Sequence, residues 1–218
     1  ELDIMTYALC HGVKIICVDI ANGYMARLHR FIRDIAVQAH KEDVLIISGN
    51  VVDNVGACVL ENSGVDLIRV NIGTGALCTT RSVAGVGLPP LSALVLSGKG
   101  VTNSSLVSDG GIRTSGDAVK AFCFGAKLIM MGSAFGACKE ASNSGVIMGM
   151  ASRIHQDTVY GRHKSIEGIS MHIEKTITLS DFLDDFTYGI KSGLSYLGCD
   201  DINKLPDMDI KYCRKEHI

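Results

Sequence analysis

Asp66-Leu-Ile-Arg-Val-Asn-Ile-Gly-Thr-Gly-Ala-Leu-Cys-Thr-Thr-Arg81 is the stretch on which the fold turns. Its first part, residues 66–71, is a short apolar run of the kind that forms a buried parallel strand, and it empties directly into a glycine-rich loop. The same form recurs on either side. Runs rich in Ile, Leu and Val at 13–20, 44–48, 105–108 and 127–131 also read as strands. Each has polar or glycine residues at or just past its end: Asp19, Asn22 and Gly23; Gly49 and Asn50; Asp109 to Gly111; Gly132 and Ser133. Helical patterns separate most of the runs. Residues 26–40 place Leu28, Phe31, Ile32, Ile35 and Ala36 on one face, and 55–62 is a shorter candidate. A third, 116–124, follows a cap at Thr114 or Ser115 and ends at Gly125. Strand–helix alternation of this kind gives right-handed βαβ units and a parallel sheet, with every strand end on one rim. That rim is where α/β barrels and open α/β sheets place their sites. Periodicity alone does not choose between a barrel and a doubly wound sheet.

Composition narrows the classes. With 218 residues, 47% apolar, 6% aromatic and no Trp, the chain suits one domain with an aliphatic core. The formal charge of −2 offers no basic surface for nucleic acid and no acidic tail, so a phosphate-bearing ligand must be held by local geometry. No apolar run is long enough to span a bilayer, and the N-terminal Glu-Leu-Asp-Ile lacks the marks of a signal peptide. The eight cysteines form no Cys-x-x-Cys pair and no zinc spacing with His. Apart from Cys78, they are expected to be buried, reduced thiols of a cytoplasmic protein.

Residues 139–174 have no clean period and carry Lys139, Arg153, His155, Arg162, His163 and Lys164 among small residues. This is long for a loop and predicts a mobile flap. Thr178 with Asp181 then caps a final helix, whose stripe is Leu179, Phe182, Leu183, Phe186, Ile190 and Leu194. The tail beyond Pro206 is polar and expected at the surface.

Three strand ends could carry chemistry. In the loop after the 66–71 strand, Gly73 and Gly75 allow a tight curl whose carbonyls or amides converge on a small ion. Cys78 follows, with Thr79 and Thr80 beside it, and a loop thiol near an electrophilic ring carbon can form a covalent adduct. Taken by itself, a Gly-rich loop with an incidental Cys is the simpler reading. Ser108-Asp-Gly-Gly-Ile-Arg113 sets a carboxylate before two glycines, suited to vicinal hydroxyls. Met131-Gly-Ser133 offers amides to a phosphate.

At these residues the chain resembles the IMP dehydrogenase/GMP reductase family, from about residue 13 to 198. The markers are Val-Asp-Ile-Ala-Asn-Gly-Tyr (18–24), Ser-Gly-Asn-Val-Val (48–52), Gly-Thr-Gly-Ala-Leu-Cys-Thr-Thr (73–80), Ser-Asp-Gly-Gly-Ile-Arg (108–113), Gly-Asp-Ala-Val-Lys-Ala (116–121), Met-Met-Gly-Ser (130–133), Gly-Met-Ala-Ser (149–152) and Glu-Gly (167–168). The resemblance implies a (β/α)8 TIM-type barrel, usually tetrameric, in which both family chemistries attack C2 of a purine nucleotide with the loop cysteine. Dehydrogenases pass hydride to NAD and use an Arg-Tyr pair on the flap to activate water. Reductases expel ammonia from GMP, accept hydride from NADPH and manage protons with a Thr–Glu pair. Asp-Ile-Ala-Asn-Gly-Tyr and the short flap ending Lys-Ser-Ile-Glu-Gly are similar to reductases, and the chain has no Arg-Tyr dipeptide. A GMP reductase converting GMP to IMP is therefore expected, with IMP dehydrogenase or a non-catalytic nucleotide- or partner-binding homologue as alternatives.

Carried over by resemblance, Cys78 is the nucleophile, and Thr80 and Glu167 handle the proton that leaves with ammonia. Asp109 takes the ribose hydroxyls with Gly110 and Gly111 beside it, and Gly132 and Ser133 offer amides to the phosphate. Met150, Ala151, Lys164 and Gly168 close over the base. Asp19, Ile20, Ala21, Ile72 and Gly73 fall to the NADPH side, and the carbonyls of Gly73, Gly75 and Cys78 to a potassium ion. Departures are Asn71 where a Gly is common, Thr74 where Pro is frequent, and His163 and Lys164 in place of a Tyr and an Arg.

The strand starts are about 28 residues apart, so eight units need roughly 225 residues before any flap. Residues 1–218 therefore read as one partial catalytic domain with the last five units, its flap at 139–174 and its closing helix at 178–198. The segment 1–11 becomes the helix before the fourth strand. With three units missing, roughly 85 residues, the chain is expected to be a fragment of a longer parent, a chain completed by another that supplies strands, or a truncated homologue; the resemblance implies a homo-oligomer. Weak or absent activity of this chain by itself is expected.

Overall fold

A computed structural model describes residues 2–161 and 167–207. Helix α1 (Leu2–Cys10) precedes five strand–helix units: β1 (Ile15–Val18), α2 (Ala26–Lys41), β2 (Leu45–Val51), α3 (Asn54–Asn62), β3 (Leu67–Val70), α4 (Thr80–Val83), α5 (Pro90–Gly98), β4 (Ser105–Asp109), α6 (Ser115–Cys123), β5 (Ala126–Met130) and α7 (Ser133–Gly136). A ribbon of β6 (Val146–Met148) and β7 (Ser170–His172) then brackets α8 (Arg153–Tyr160), and α9 (Leu179–Tyr196) and a 3-10 turn (Ile202–Asp207) follow. The tail from residue 208 lies outside the described residues.

The five strands pair in the order β1-β2-β3-β4-β5, all parallel. A doubly wound sheet reverses its order at a switch point, and this one does not. Unbroken order with helices on one side is how a (β/α) barrel is wound, so these strands form an arc of one.

Burial separates the two faces. Ile46, Ile68, Val70 and Leu106 face the helices and pack with Ile35, Leu60, Leu94 and Ala118 into one core. The alternate residues face the other way, and there Ile15, Leu45 and Leu128 remain 54%, 45% and 47% exposed. In a closed barrel this face is filled by side chains from strands opposite. The strands are thus apolar on both faces, as parallel barrel strands are, with one face uncovered among the described residues.

Local signals fix the helix starts. Asp53 accepts from the amide of Gly56 at 2.9 Å, and Thr178 accepts from that of Asp181 at 3.2 Å. Thr114 and Asp117 form a reciprocal capping box. Helix α5 has no periodic signal in the sequence. Its sequence, Pro-Leu-Ser-Ala-Leu-Val-Leu-Ser-Gly, is apolar on several faces and shows no period, although Pro90 at its first turn is a start signal. Within the described part of residues 139–174 the chain forms β6, β7 and α8.

Glu61, near the end of α3, ties down the turn into β4. Its carboxylate accepts the amides of Thr102, Asn103 and Ser104 at 3.1, 2.7 and 2.7 Å. Burial pushes this carboxyl up, but the three amides outweigh it and hold it below its usual value. A depressed carboxyl contributes stability above its unfolded-state pKa and loses it as pH falls through the folded one. Glu61→Ala is expected to cost about 1 kcal/mol in urea unfolding near neutral pH. The gap from wild type should close as the pH is lowered through the carboxylate range.

Candidate active site

Every polar strand end named above comes to the C-terminal rim of the sheet. Past β3 the backbone turns at Asn71, whose φ is 103°. Its amide donates to the Val51 carbonyl at 3.0 Å, and its Nδ2 reaches Ser108 Oγ and the Asp109 carbonyl, both at 3.3 Å. The glycine loop then folds on itself, with Cys78 N–H donating to the Gly75 carbonyl at 3.0 Å.

The segment from Glu167 to Ile169 is stitched onto this loop by backbone. Thr79 N–H donates to the Glu167 carbonyl at 3.1 Å, and Ile169 N–H to that of Leu77 at 3.0 Å. Between them Gly168 opposes both Cys78 and Ser152. A Cβ on Gly168 would lie 3.0 Å from the Ser152 nitrogen, so glycine is what lets the three backbones meet. The pairing delivers Glu167, 87 residues away in sequence, to Thr80: Thr80 Oγ1 donates to Glu167 Oε2 at 3.1 Å. Cys78 Sγ lies 3.1 Å from the same Oγ1. A hydroxyl has one proton to give, so while Thr80 gives it to Glu167 it accepts from the thiol. The three groups form a directed path from sulfur to carboxylate.

Cys78, Thr80 and Glu167 face a cavity of about 1110 Å³, to which Asp109, Gly110, Gly111, Gly132 and Ser133 also contribute. From the flap Met150 and Ala151 line it, and so do residues without an assigned part in the sequence reading, among them Phe135, Asn143 and His155. A typical small-molecule site holds roughly 300–1,000 Å³, so there is room for a nucleotide with space beside it.

Asp109 is held by one oxygen. Oδ2 accepts from Asn50 Nδ2 at 2.8 Å and from Arg69 Nε and Nη2 at 3.0 and 2.7 Å. Arg69 also donates through Nη1 to Asp19 Oδ1. Burial works against the guanidinium charge, but the carboxylates of Asp109 and Asp19 outweigh it and set the Arg69 pKa above its ordinary value. Sequence reasoning missed Arg69. Its signal was a lone cation in the otherwise apolar strand Leu-Ile-Arg-Val.

The cofactor-side residues are less concentrated. Among the described residues of that set, Ala21 alone lines the large cavity. Asp19 and Ile20 instead line a neighbouring one of about 520 Å³ with Leu28 and Phe31. Ile72 and Gly73 line neither, and Gly168 makes backbone contacts without lining the large one. Lys164 lies outside the described residues. The described cysteines are free thiols, but Cys10, Cys17 and Cys58 are exposed, contrary to the expected burial. Cys17 sits on the open face of β1, alternate with the helix-facing Ile16 and Val18. No group of three or more His, Cys, Asp or Glu able to hold a metal occurs among the described residues.

Gly110 lets the cysteine loop lie against the end of β4. Its φ is +76°, and a Cβ there would fall 2.9 Å from Thr74 Oγ1 and 3.1 Å from the Gly75 nitrogen. Gly110→Ala is expected to lower stability by about 1–3 kcal/mol in chemical denaturation. Displacing the loop should also change the rate at which Cys78 is alkylated by iodoacetamide, read by peptide mass spectrometry.

A family model for the IMP dehydrogenase / GMP reductase domain matches residues 5–216. An inosine-5'-monophosphate dehydrogenase from Aquifex aeolicus is 33% identical over 217 residues, 90% of this chain and 44% of its own length. A GMP reductase from Staphylococcus aureus is 35% identical over 205 residues, 89% of this chain and 61% of its own. Among solved structures, a variant GMP reductase from Trypanosoma brucei in complex with guanosine 5'-monophosphate matches with a TM-score of 0.85 at 27% identity, over 95% of this chain and 47% of that one. The chain spans about half the length of the curated relatives it matches. Its arc of five parallel strands corresponds to part of a TIM-type barrel, and the chain belongs to the IMP dehydrogenase/GMP reductase family of oxidoreductases, which use nicotinamide cofactors.

Proposed function

We propose that this chain carries the nucleotide-handling part of a GMP reductase, in which Cys78 attacks C2 of GMP. The observation that supports this most is the line Cys78 Sγ–Thr80 Oγ1–Glu167 Oε2, with both links at 3.1 Å. The thiol proton passes by way of Thr80 to Glu167 as sulfur bonds to C2. Glu167 returns a proton to the 2-amino group, which leaves as ammonia, and a thioimidate joins Cys78 to the purine. When bound, NADPH would supply the hydride that C2 needs and leave as NADP+; cleavage of the C–S bond then gives IMP and the Cys78 thiolate. Asp109 holds the ribose hydroxyls through Oδ1, and Gly132 and Ser133 offer amides to the phosphate. Met150 and Ala151, with Lys164 and Gly168, close the flap side.

For the cofactor, the exposed Asp19 carboxylate and Ala21, at the end of β1, fit a polar carboxamide approaching from the open side. A potassium ion would be held by the carbonyls of Gly73, Gly75 and Cys78. The Gly75 carbonyl accepts the Cys78 amide and keeps its second lone pair for such an ion.

A reductase is favoured over a dehydrogenase by the Thr80–Glu167 contact and by the absence of an Arg-Tyr dipeptide from the sequence. The similarity to IMP dehydrogenases keeps oxidation of IMP to XMP with NAD as the second reading. A third reading is a non-catalytic homologue that binds purine nucleotide or a full-length partner subunit without turnover. Cytoplasmic location and a tetrameric or strand-supplemented assembly are part of the proposal.

Loss of NADPH absorbance on adding GMP tests the reaction. Cys78→Ala should abolish it, and Glu167→Gln should lower kcat by about 10²–10⁴-fold while GMP affinity stays within a few-fold. NADH formation from IMP without NADPH loss selects the dehydrogenase, and calorimetric GMP binding without turnover the third reading. Activity undiminished in Cys78→Ala rules out the covalent step.

A further inference from the structure

Arg69 is an anomaly on its sheet face. Its strand neighbour on that face is Leu67, and Ile15, Leu45 and Leu128 stand exposed on the same side. Yet its side chain is only 11% exposed and spends its three nitrogens on two carboxylates from strands that do not pair with each other, Asp19 after β1 and Asp109 on β4. Space is cleared for it. Gly49 sits opposite Arg69 in the β2–β3 register, and a Cβ there would fall 2.4 Å from the Arg69 carbonyl and 2.7 Å from its Cβ.

We infer that Arg69 is a positioning residue that couples the cofactor-side Asp19 to the ribose-side Asp109, and this rests on the nucleotide reading above. Two Arg69 nitrogens and Asn50 Nδ2 converge on Asp109 Oδ2. That oxygen has no capacity left, so a ribose hydroxyl must bind Oδ1. The fork fixes the rotation of the carboxylate and hence where Oδ1 points. Asp19 fixes the fork through Nη1. Asp19 does not line the nucleotide cavity, but it sets the geometry of a carboxylate that does. Lys at position 69 would carry the charge without the planar fork.

The test is calorimetry of the chain with GMP and with its 2′,3′-dideoxy analogue, which lacks the hydroxyls but keeps base and phosphate. Wild type should prefer GMP by about tenfold or more, the size of a hydrogen bond to a charged group. In Arg69→Gln the preference should collapse toward one, through weaker GMP binding with the analogue little changed. Arg69→Lys should recover only part of the preference. Asp19→Asn should reduce it several-fold, although its side chain stands away from the nucleotide. Urea unfolding of each variant checks that the fold persists, and Asp19→Asn alters an exposed side chain if Arg69→Gln fails to fold. Equal weakening of both ligands, or an unchanged preference in Arg69→Gln and Asp19→Asn, overturns the inference while leaving the nucleotide reading intact. A wild-type chain that binds neither ligand removes both.

Discussion

Parallel pairing in unbroken sequence order is the constraint from which the site follows. When each strand lies beside the next and runs the same way, every strand-to-helix turn must emerge on one rim. Asp19, Asn50, Asn71, Asp109 and Gly132 therefore converge although they span more than half the sequence. Nothing in their individual surroundings would bring them together. The core of Ile46, Ile68, Leu60 and Leu94 holds the strands in register, and the register aims the polar ends.

Two polar systems are built on that rim, and they differ in how they are secured. Asp109, Arg69 and Asn50 lie on strands or at their ends, so the sheet itself fixes them. The Cys78–Thr80–Glu167 line depends instead on backbone hydrogen bonds that join residues 167–169 to the glycine loop. The first suits a group that holds a ligand still. The second rests on a few backbone bonds between loops, outside the sheet ladder.

How much of this was legible varied with the range of the interaction. Apolar runs predicted all five strands within a few residues, because Leu, Ile and Val at consecutive positions leave parallel burial as the simplest outcome. The caps at Thr114 and Thr178 were local and readable. Helix α5 was not, because Leu91, Leu94, Val95 and Leu96 surround the helix and carry no period. Strand order was also out of reach, because neighbouring units give the same local pattern in a barrel and in an open sheet. At the site, the pairing of Thr80 with Glu167 came from resemblance alone, since no spacing rule links residues so far apart. Arg69 was overlooked because a single cation in a strand reads as an interruption. Its partners lie on other strands, and only the register brings them near.

A thiol poised against C2 of a purine nucleotide can be tested for without turnover or cofactor. The chain would be incubated with a purine ribonucleotide bearing fluoride at C2, and the adducts mapped by mass spectrometry. Attack by the poised sulfur displaces fluoride and leaves the nucleotide bonded to one residue. A single adduct on Cys78 is expected, suppressed by excess GMP, while the more exposed Cys10, Cys17 and Cys58 stay unmodified. Adducts spread over those exposed thiols with Cys78 untouched would contradict it.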